Sequence, residues 1–227
     1  MDDDDLLSLL PQRLDLPRGR SALSGSEVAA SRRGRILQAT LEEIAESGYA
    51  ATTVAAITKR AHVSRTAFYE AFRDKEEAFA AAHWNASELA LTRVWTPALS
   101  VTGTDYDARI RAAIESYVGA LEAAPSFAIC VYVEIRAAGE RLQVQRDEMT
   151  DRHLLVLREI AEASAPSRGI VVPPDDDLRA LMGAFDELIG RAVRAQRHAD
   201  SLDLRSVVAP LTRVLLAVMR GADRPSA

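Results

Sequence analysis

Apolar residues recur along this chain at the three- and four-residue spacing of amphipathic helices, and they almost never alternate as they would in a strand. Four helices are predicted in the first part of the chain, over about 24–48, 53–61, 64–72 and 74–94. Five more are predicted over about 106–123, 127–137, 142–163, 175–198 and 203–219. Eleven glycines and nine prolines are few for a turn-rich β architecture. The pattern therefore predicts an all-α fold.

Composition narrows the class of protein further. Of the 227 residues, 48% are hydrophobic and 27% are charged, which is enough for a folded core. Cys130 is the single cysteine, so the chain is not a disulfide scaffold. No apolar run approaches the ~20 residues of a spanning helix, and the acidic start at Asp2–Asp5 is unlike a signal peptide. We expect a cytoplasmic protein with no membrane partner.

One segment contains a local motif. Residues 53–72 read TVAAITKRAHVSRTAFYEAF, in which two short predicted helices are separated by a tight turn at residues 61–64. This is helix-turn-helix spacing. Thr53 and Ser64 can cap the two helices at their N-termini. Residues expected on the exposed side of the second helix are Arg65, Thr66 and Tyr69.

The stretch from about Arg35 to Phe79 resembles the DNA-binding domain of the tetracycline-repressor (TetR) family. The resemblance is carried, in order and nearly without gaps, by Ile36-Leu37, Ala39, Gly48-Tyr49, Thr52-Thr53-Val54, Ile57, Ala61-His62-Val63-Ser64, Phe68-Tyr69, Phe72 and Asp74-Lys75-Glu76. His62 is a departure, because the family usually has glycine at the end of the second helix. The resemblance implies an N-terminal three-helix helix-turn-helix DNA-binding domain and a C-terminal helical ligand-binding and dimerisation domain.

Side-chain chemistry and the resemblance together predict the DNA contacts. The predicted residues are Thr53, Ser64, Arg65, Thr66, Tyr69 and Lys75. Arg65 can pair bidentately with guanine, and the methyl group of Thr66 can touch thymine. Tyr69 resembles the family tyrosine that donates to a phosphate. The other three residues lie at helix N-termini, where amides and the helix dipole favour phosphate. The alternatives are that Thr53 and Ser64 only cap their helices and that Tyr69 packs in the core.

The charge distribution also favours DNA binding. From Arg18 to Lys75 there are ten basic and six acidic residues, which gives +4. Since the whole chain carries −5, the remainder carries −9. A basic segment on an acidic body suits phosphate binding without general adhesion to nucleic acid. A solvated charged face is the alternative interpretation.

The second half of the chain provides the candidate effector site and dimer interface. Four residues are predicted to line an effector pocket: Tyr117, Phe127, Tyr132 and Arg136. A cavity among such helices would be mainly apolar with a few polar anchors, so a largely hydrophobic effector is expected. Four residues on the last two helices are predicted to form a homodimer interface: Gly183, Gly190, Leu211 and Leu215. The alternatives are that these pocket and interface residues pack within one chain and that Arg136 is a surface charge.

No pattern indicates catalysis. The four histidines are scattered, and no metal-binding, nucleophile-elbow or phosphate-loop motif occurs. Glu148, Asp151 and His153 are close in sequence, but their helical spacing does not let them converge on one ion. We therefore expect no enzyme activity, no metal and no cofactor.

These predictions divide the chain into three parts. Residues 1–25 form a flexible N-terminal arm, 26–78 the DNA-binding domain, and 79–227 the effector-binding and dimerisation domain. The predicted function is that of a ligand-responsive repressor, which binds a palindromic DNA operator as a homodimer and is released by a small-molecule effector. The alternatives are a constitutive DNA-binding regulator without effector response and a helical-bundle enzyme.

Overall fold

Helices account for the secondary structure throughout the described part of the chain. The computed structural model describes residues 25–91, 106–168 and 172–221. Its helices are α1 Gly25–Ser47, α2 Val54–Ala61, α3 Arg65–Ala71, α4 Lys75–Ala90, α5 Tyr106–Ala123, α6 Pro125–Tyr132, a 3₁₀ helix Glu134–Ala137, α7 Glu140–Arg168, α8 Asp175–Ala195 and α9 Arg205–Gly221. No strand occurs in these three ranges, and the predicted all-α fold is confirmed.

Several helix boundaries differ from the prediction, and two others lie outside the described residues. The helix predicted over 127–137 begins at Pro125, where a proline loses no helical hydrogen bond, and gives way to the 3₁₀ helix after Tyr132. Pro166 was predicted to begin a loop but lies within α7. The predicted arm before Gly25, with the capping Ser24, and the predicted end of the fourth helix at Val94 lie outside the described residues.

The first compact unit contains the described residues up to Leu89 together with residues 123–145. In it α1 packs against α2 and α6, and α2 packs against α3. The Cys130 thiol of α6 is buried and donates to the Leu41 carbonyl oxygen of α1 at 3.4 Å. The fully buried side chains of this core include Ile36, Leu37, Leu41, Ile44, Ile57, Phe68 and Phe79.

This unit extends beyond the predicted DNA-binding domain of residues 26–78. We call this first unit the head. Phe79 of α4 is fully buried in its core, so the head continues past residue 78. Residues 123–145 also join it, because α6 buries Phe127, Ala128 and Cys130. Sequence pattern alone did not indicate that a segment from the second half of the chain packs on α1.

The second compact unit contains residues 90–122 and the chain from Arg146 onward. In it α8 packs against α9. One face of α8 is buried, and its apolar members are Leu178, Leu181, Phe185, Ile189 and Val193. The Leu204 N–H, just before α9, donates to Glu122 Oε1 of α5 at 2.6 Å. These contacts give the unit a core of its own.

The helix-turn-helix has the predicted caps and an unusual turn. Thr53 Oγ1 accepts the Ala56 N–H at 3.2 Å, and Ser64 Oγ accepts the Ala67 N–H at 3.1 Å. His62 ends α2 in the left-handed conformation, with φ 53° and ψ 47°. The turn therefore keeps the backbone geometry that favours glycine, although it contains a histidine.

We expect His62→Gly to stabilise the protein. Glycine removes a left-handed strain of about 1–2 kcal/mol, reduced by the extra entropy of the unfolded chain, about 0.4–1 kcal/mol. The free energy of unfolding should rise by up to about 1 kcal/mol, measured by urea denaturation. His62→Ala is the control and should be no more stable than the wild type. Equal stability of His62→Gly and His62→Ala would contradict this explanation.

Candidate DNA-binding surface

The recognition helix α3 exposes the residues that were predicted to meet DNA. Arg65, Thr66 and Tyr69 are exposed, and the Tyr69 side chain is 53% exposed. Ala67 and Phe68 face inward and are buried. The Phe68 ring lies edge-on to the Tyr69 ring, with centroids 5.5 Å apart. Core packing of Tyr69 is therefore excluded, and its hydroxyl is on the outside of the helix.

Helix N-termini supply a second feature of this surface. Thr53 and Ser64 are both exposed and both cap their helices through the side-chain oxygen. The first free N–H groups of a helix and its dipole attract anions. Capping and phosphate binding are compatible, since the cap uses one N–H group and leaves others at the helix end.

Most basic side chains of the head are bound within the head itself. Arg60 of α2 forms ion pairs with three α1 carboxylates, those of Glu42, Glu43 and Glu46. Desolvation acts to lower the pKa of Arg60, but the hydrogen bonds that Arg60 donates to Glu46 and Glu43 raise it overall. Arg60 is therefore permanently charged and joins α2 to α1.

Three further arginines of the head also have internal partners. They are Arg32, paired with Glu70; Arg73, paired with Glu77; and Arg33, which donates to the Ala71 carbonyl and lies 4.2 Å from the Phe72 ring centroid. Hydrogen bonds from the Arg73 backbone and side chain lower the pKa of Glu77. Within residues 25–91, the exposed cations without an ion pair, a side-chain hydrogen bond or a ring contact are Arg35, Lys59 and Arg65. The charge available to DNA is thus concentrated on few side chains.

Lys75 is placed differently from the prediction. Its ammonium group donates to the Tyr49 and Thr52 carbonyl oxygens at 2.7 and 2.8 Å, with a longer contact to Ala50 at 3.4 Å. It also lies 4.5 Å from the Tyr49 ring centroid. These contacts give Lys75 an internal role, because three backbone carbonyls surround the ammonium group, and its phosphate contact stays a prediction.

Tyr49 is the centre of the turn between α1 and α2. Its ring packs on Phe79, with centroids 5.7 Å apart. Burial, with smaller contributions from Glu76 and Asp74, raises the pKa of its phenol. Its N–H donates to Glu134 Oε2 at 2.7 Å. The sequence does not predict this role of Glu134, because 85 positions separate the two residues and no local pattern connects them.

The four predicted pocket residues do not come together within either unit. Phe127 and Tyr132 are buried in the first unit, where Arg136 is exposed. Tyr117 is half-buried in the second unit. These residues lie in different units because α6 packs on α1, which the sequence did not indicate.

A different cavity, of about 500 Å³, lies between α5 and α9 in the second unit. Its apolar and small lining residues are Val118, Gly119, Val208 and Ala209, and two α5 glutamates also line it. Arg111 and Arg205 supply positive charge and form no ion pair with any described residue. A Cβ added at Gly119 would meet no atom within 4 Å. This volume is in the range of small-molecule sites.

Three of the four predicted interface residues face the core of the second unit. Leu211 and Leu215 are 0% exposed, and Gly190 is buried. Within the single chain the apolar stripe of α9 packs against its own unit, and a dimer contact through these three residues stays a prediction. Gly183 is exposed, and a Cβ there would meet no atom within 4 Å.

Two further searches concern metals and membranes. Among the described residues, no group of three or more His, Cys, Asp or Glu side chains is arranged to hold a metal ion. None of the described helices is by itself long and apolar enough to cross a membrane, although Ile110–Ala123 and Pro125–Tyr132 pass that test as a bent pair.

Comparisons with known proteins agree with this geometry. Residues 36–82 match the family described as bacterial regulatory proteins, tetR family. The fatty acid degradation regulator FadR from Bacillus halodurans has a similar fold, with a TM-score of 0.71 and 21% identity over 83% of this chain and 96% of that one. FadR from Bacillus subtilis in complex with stearoyl-CoA has a TM-score of 0.66 and 22% identity, over 82% of this chain and 97% of that one. Salmonella enterica GusR has a TM-score of 0.66 and 17% identity, over 88% of this chain and 100% of that one. No curated protein matches the chain.

A capped helix-turn-helix with an exposed recognition helix, followed by a helical second unit, defines a DNA-binding transcriptional regulator. The family match covers this same helix-turn-helix. Residues 36–82 are therefore the part of the chain that belongs to the tetR family of bacterial regulatory proteins. Its members are regulators and not enzymes, which confirms the expectation that the chain has no enzyme activity.

Lys75→Met should lower the free energy of unfolding by about 1.5–3 kcal/mol, the usual contribution of hydrogen bonds to a charged group. Methionine keeps most of the alkyl stem but removes the donors to Tyr49 and Thr52. Lys59→Met is the matched control, since Lys59 is exposed, and it should change stability by less than about 0.5 kcal/mol. Urea denaturation of both variants tests this, and equal effects would contradict the internal role of Lys75.

Proposed function

We propose that the chain is a homodimeric repressor that binds a palindromic DNA operator and is released from it by a small-molecule effector. The observation that carries the proposal is the exposed face of α3, where Arg65, Thr66 and Tyr69 project from a helix with a buried inner side. A helix of this kind fits the major groove. Two-fold symmetry of the dimer predicts half-sites one or more helical turns apart.

Each DNA contact has a distinct role. Arg65 reads guanine through two hydrogen bonds, and the methyl group of Thr66 contacts thymine. Tyr69 donates to a phosphate, and the N-termini of α2 and α3, capped by Thr53 and Ser64, bind further phosphates. The exposed cations Arg35 and Lys59 add attraction that does not depend on sequence.

The dimer forms through the outward side of α8 and α9. Small exposed residues on this side are Ala180, Gly183 and Ala217. Small residues let a second helix approach closely, and a symmetric dimer places the same surface on both subunits. Gly183 is the one predicted interface residue whose position supports this arrangement.

The effector binds in the cavity between α5 and α9. The small and apolar residues suit an alkyl or aromatic group, and Arg111 and Arg205 suit an anionic end. The Bacillus subtilis FadR structure contains stearoyl-CoA, a molecule that combines an alkyl chain with phosphates. We therefore expect a largely hydrophobic effector with an acidic group.

Arg65→Ala should weaken operator binding by about 1–3 kcal/mol and relax base preference at one position in each half-site. The operator is first located by gel shift with DNA that flanks the coding region, and a reporter gene then tests repression. A systematic scan of operator variants measures the preference. Unchanged preference would assign Arg65 to a phosphate, and absence of any specific complex would overturn the proposed function.

Gly183→Leu should weaken the dimer, and with it operator binding, without unfolding the subunit. The added side chain has free space in the single chain but would meet the partner. Sedimentation measures the dimer. Gly119→Leu is the control, because that glycine also has free space but lies in the α5–α9 cavity. A stable Gly183→Leu dimer would place the interface elsewhere.

Stearoyl-CoA should raise the melting temperature of the protein and release it from the operator. Gly119→Leu should reduce both responses, because leucine would fill the cavity, while operator binding without ligand stays unchanged. Coenzyme A alone is the control and should act weakly, since it lacks the alkyl chain. If Gly119→Leu responds to stearoyl-CoA as the wild type does, the effector binds elsewhere. No response to any amphipathic anion would favour a constitutive regulator.

A further inference from the structure

The turn after α1 is held by a carboxylate from a distant part of the sequence. Gly48 follows α1 in the left-handed conformation, with φ 83°. Its N–H donates to the Ile44 carbonyl at 2.8 Å, which is the single hydrogen bond of an αL helix ending. In the alternative Schellman ending, the following N–H would also return to the helix. Here the Tyr49 N–H donates to Glu134 Oε2 at 2.7 Å.

Glu134 is well placed to hold this N–H. It is only 5% exposed and is the first residue of the 3₁₀ helix that follows α6. Because α6 packs on α1, the carboxylate is anchored beside the end of α1. A buried carboxylate is stabilised by hydrogen bonds from N–H groups, and such charge-assisted bonds are stronger than neutral ones.

Glu134 and Lys75 act on the two sides of Tyr49. Glu134 accepts the N–H of Tyr49, and the Lys75 ammonium group binds its carbonyl oxygen at 2.7 Å. Lys75 also binds the Thr52 carbonyl oxygen at 2.8 Å. The next residue is Thr53, the cap of α2. The position of the α2 N-terminus therefore depends on both ionic groups.

We propose that Glu134 is a positioning residue for DNA binding. By holding the Tyr49 N–H, its carboxylate fixes the turn over residues 48–53 and aims the N-terminus of α2 at a phosphate. The inference rests on the proposed function for that phosphate contact. Glu134 does not touch the exposed face of α3, so it affects the strength of phosphate binding and leaves base preference unchanged.

The test compares Glu134→Ala with Glu134→Gln. Glutamine keeps an oxygen acceptor for the Tyr49 N–H, whereas alanine removes it. Glu140→Ala is the control, because it removes an exposed carboxylate six residues from Glu134 and leaves the Tyr49 N–H with its acceptor. Operator binding is measured at several salt concentrations, well below the melting temperature of each variant, so that only folded protein is compared.

The N-terminus of a helix carries about half a positive charge. Loss of its phosphate contact should therefore make the plot of log Kd against log salt concentration shallower by up to about half of the ~0.9 that one fully neutralised phosphate contributes. Glu134→Ala should show this change and retain wild-type base preference in an operator scan. Glu134→Gln and Glu140→Ala should keep the wild-type slope. A residue that only stabilises the fold would lower the melting temperature without changing the slope. An unchanged slope in Glu134→Ala would overturn the inference.

Hydrogen exchange in the absence of DNA tests the anchoring step separately. Glu134→Ala should speed amide exchange over residues 49–53, while Glu134→Gln and Glu140→Ala leave it at the wild-type rate. Unchanged exchange in Glu134→Ala would overturn the anchoring, whatever the DNA results. If Glu134→Ala exchanges faster but the wild-type protein binds no operator, the anchoring of the turn is supported. The proposed function, and the phosphate contact that depends on it, would then be contradicted.

Discussion

A recognition helix of seven residues cannot be stable by itself, and this constraint shapes the whole head. Isolated helices of this length are marginal in water because nucleation is costly. The structure compensates at both ends and on the inner face of α3. Ser64 caps its start, while Phe68 is fully buried and packs on Phe72. The outer face is then free to expose polar residues, since none of them is needed for the core.

Most charged groups of the head serve the same purpose of holding short helices in place. Arg60 joins α2 to three carboxylates of α1, and Lys75 binds the carbonyls of the turn before α2. Counting charges along the sequence therefore overstates the positive charge that DNA meets. The exposed cations without an ion pair in this part of the chain are few, and Arg65, on the face that would enter the groove, is one of them.

Local features of the sequence predicted the head well, because each depends on residues close to one another. The caps at Thr53 and Ser64 and the short helices follow from spacing alone. Contacts between distant residues could not be predicted in this way. The stripe with Leu211 and Leu215 shows the reason: periodicity identifies an apolar face of α9, but it does not reveal whether that face meets its own chain or a partner.

The same limit explains the two carboxylates that accept distant backbone N–H groups. A part-buried N–H requires an acceptor, but the rule does not say which residue provides it. The Tyr49 N–H uses Glu134, 85 positions away, and the Leu204 N–H uses Glu122, 82 positions away. In each case a helix approaches the backbone only because another part of the fold places it there. Such a contact makes the local geometry of a turn depend on a remote segment. The head is therefore not a self-contained unit of residues 26–78, since the turn that leads into α2 is completed by a residue from the second half of the chain.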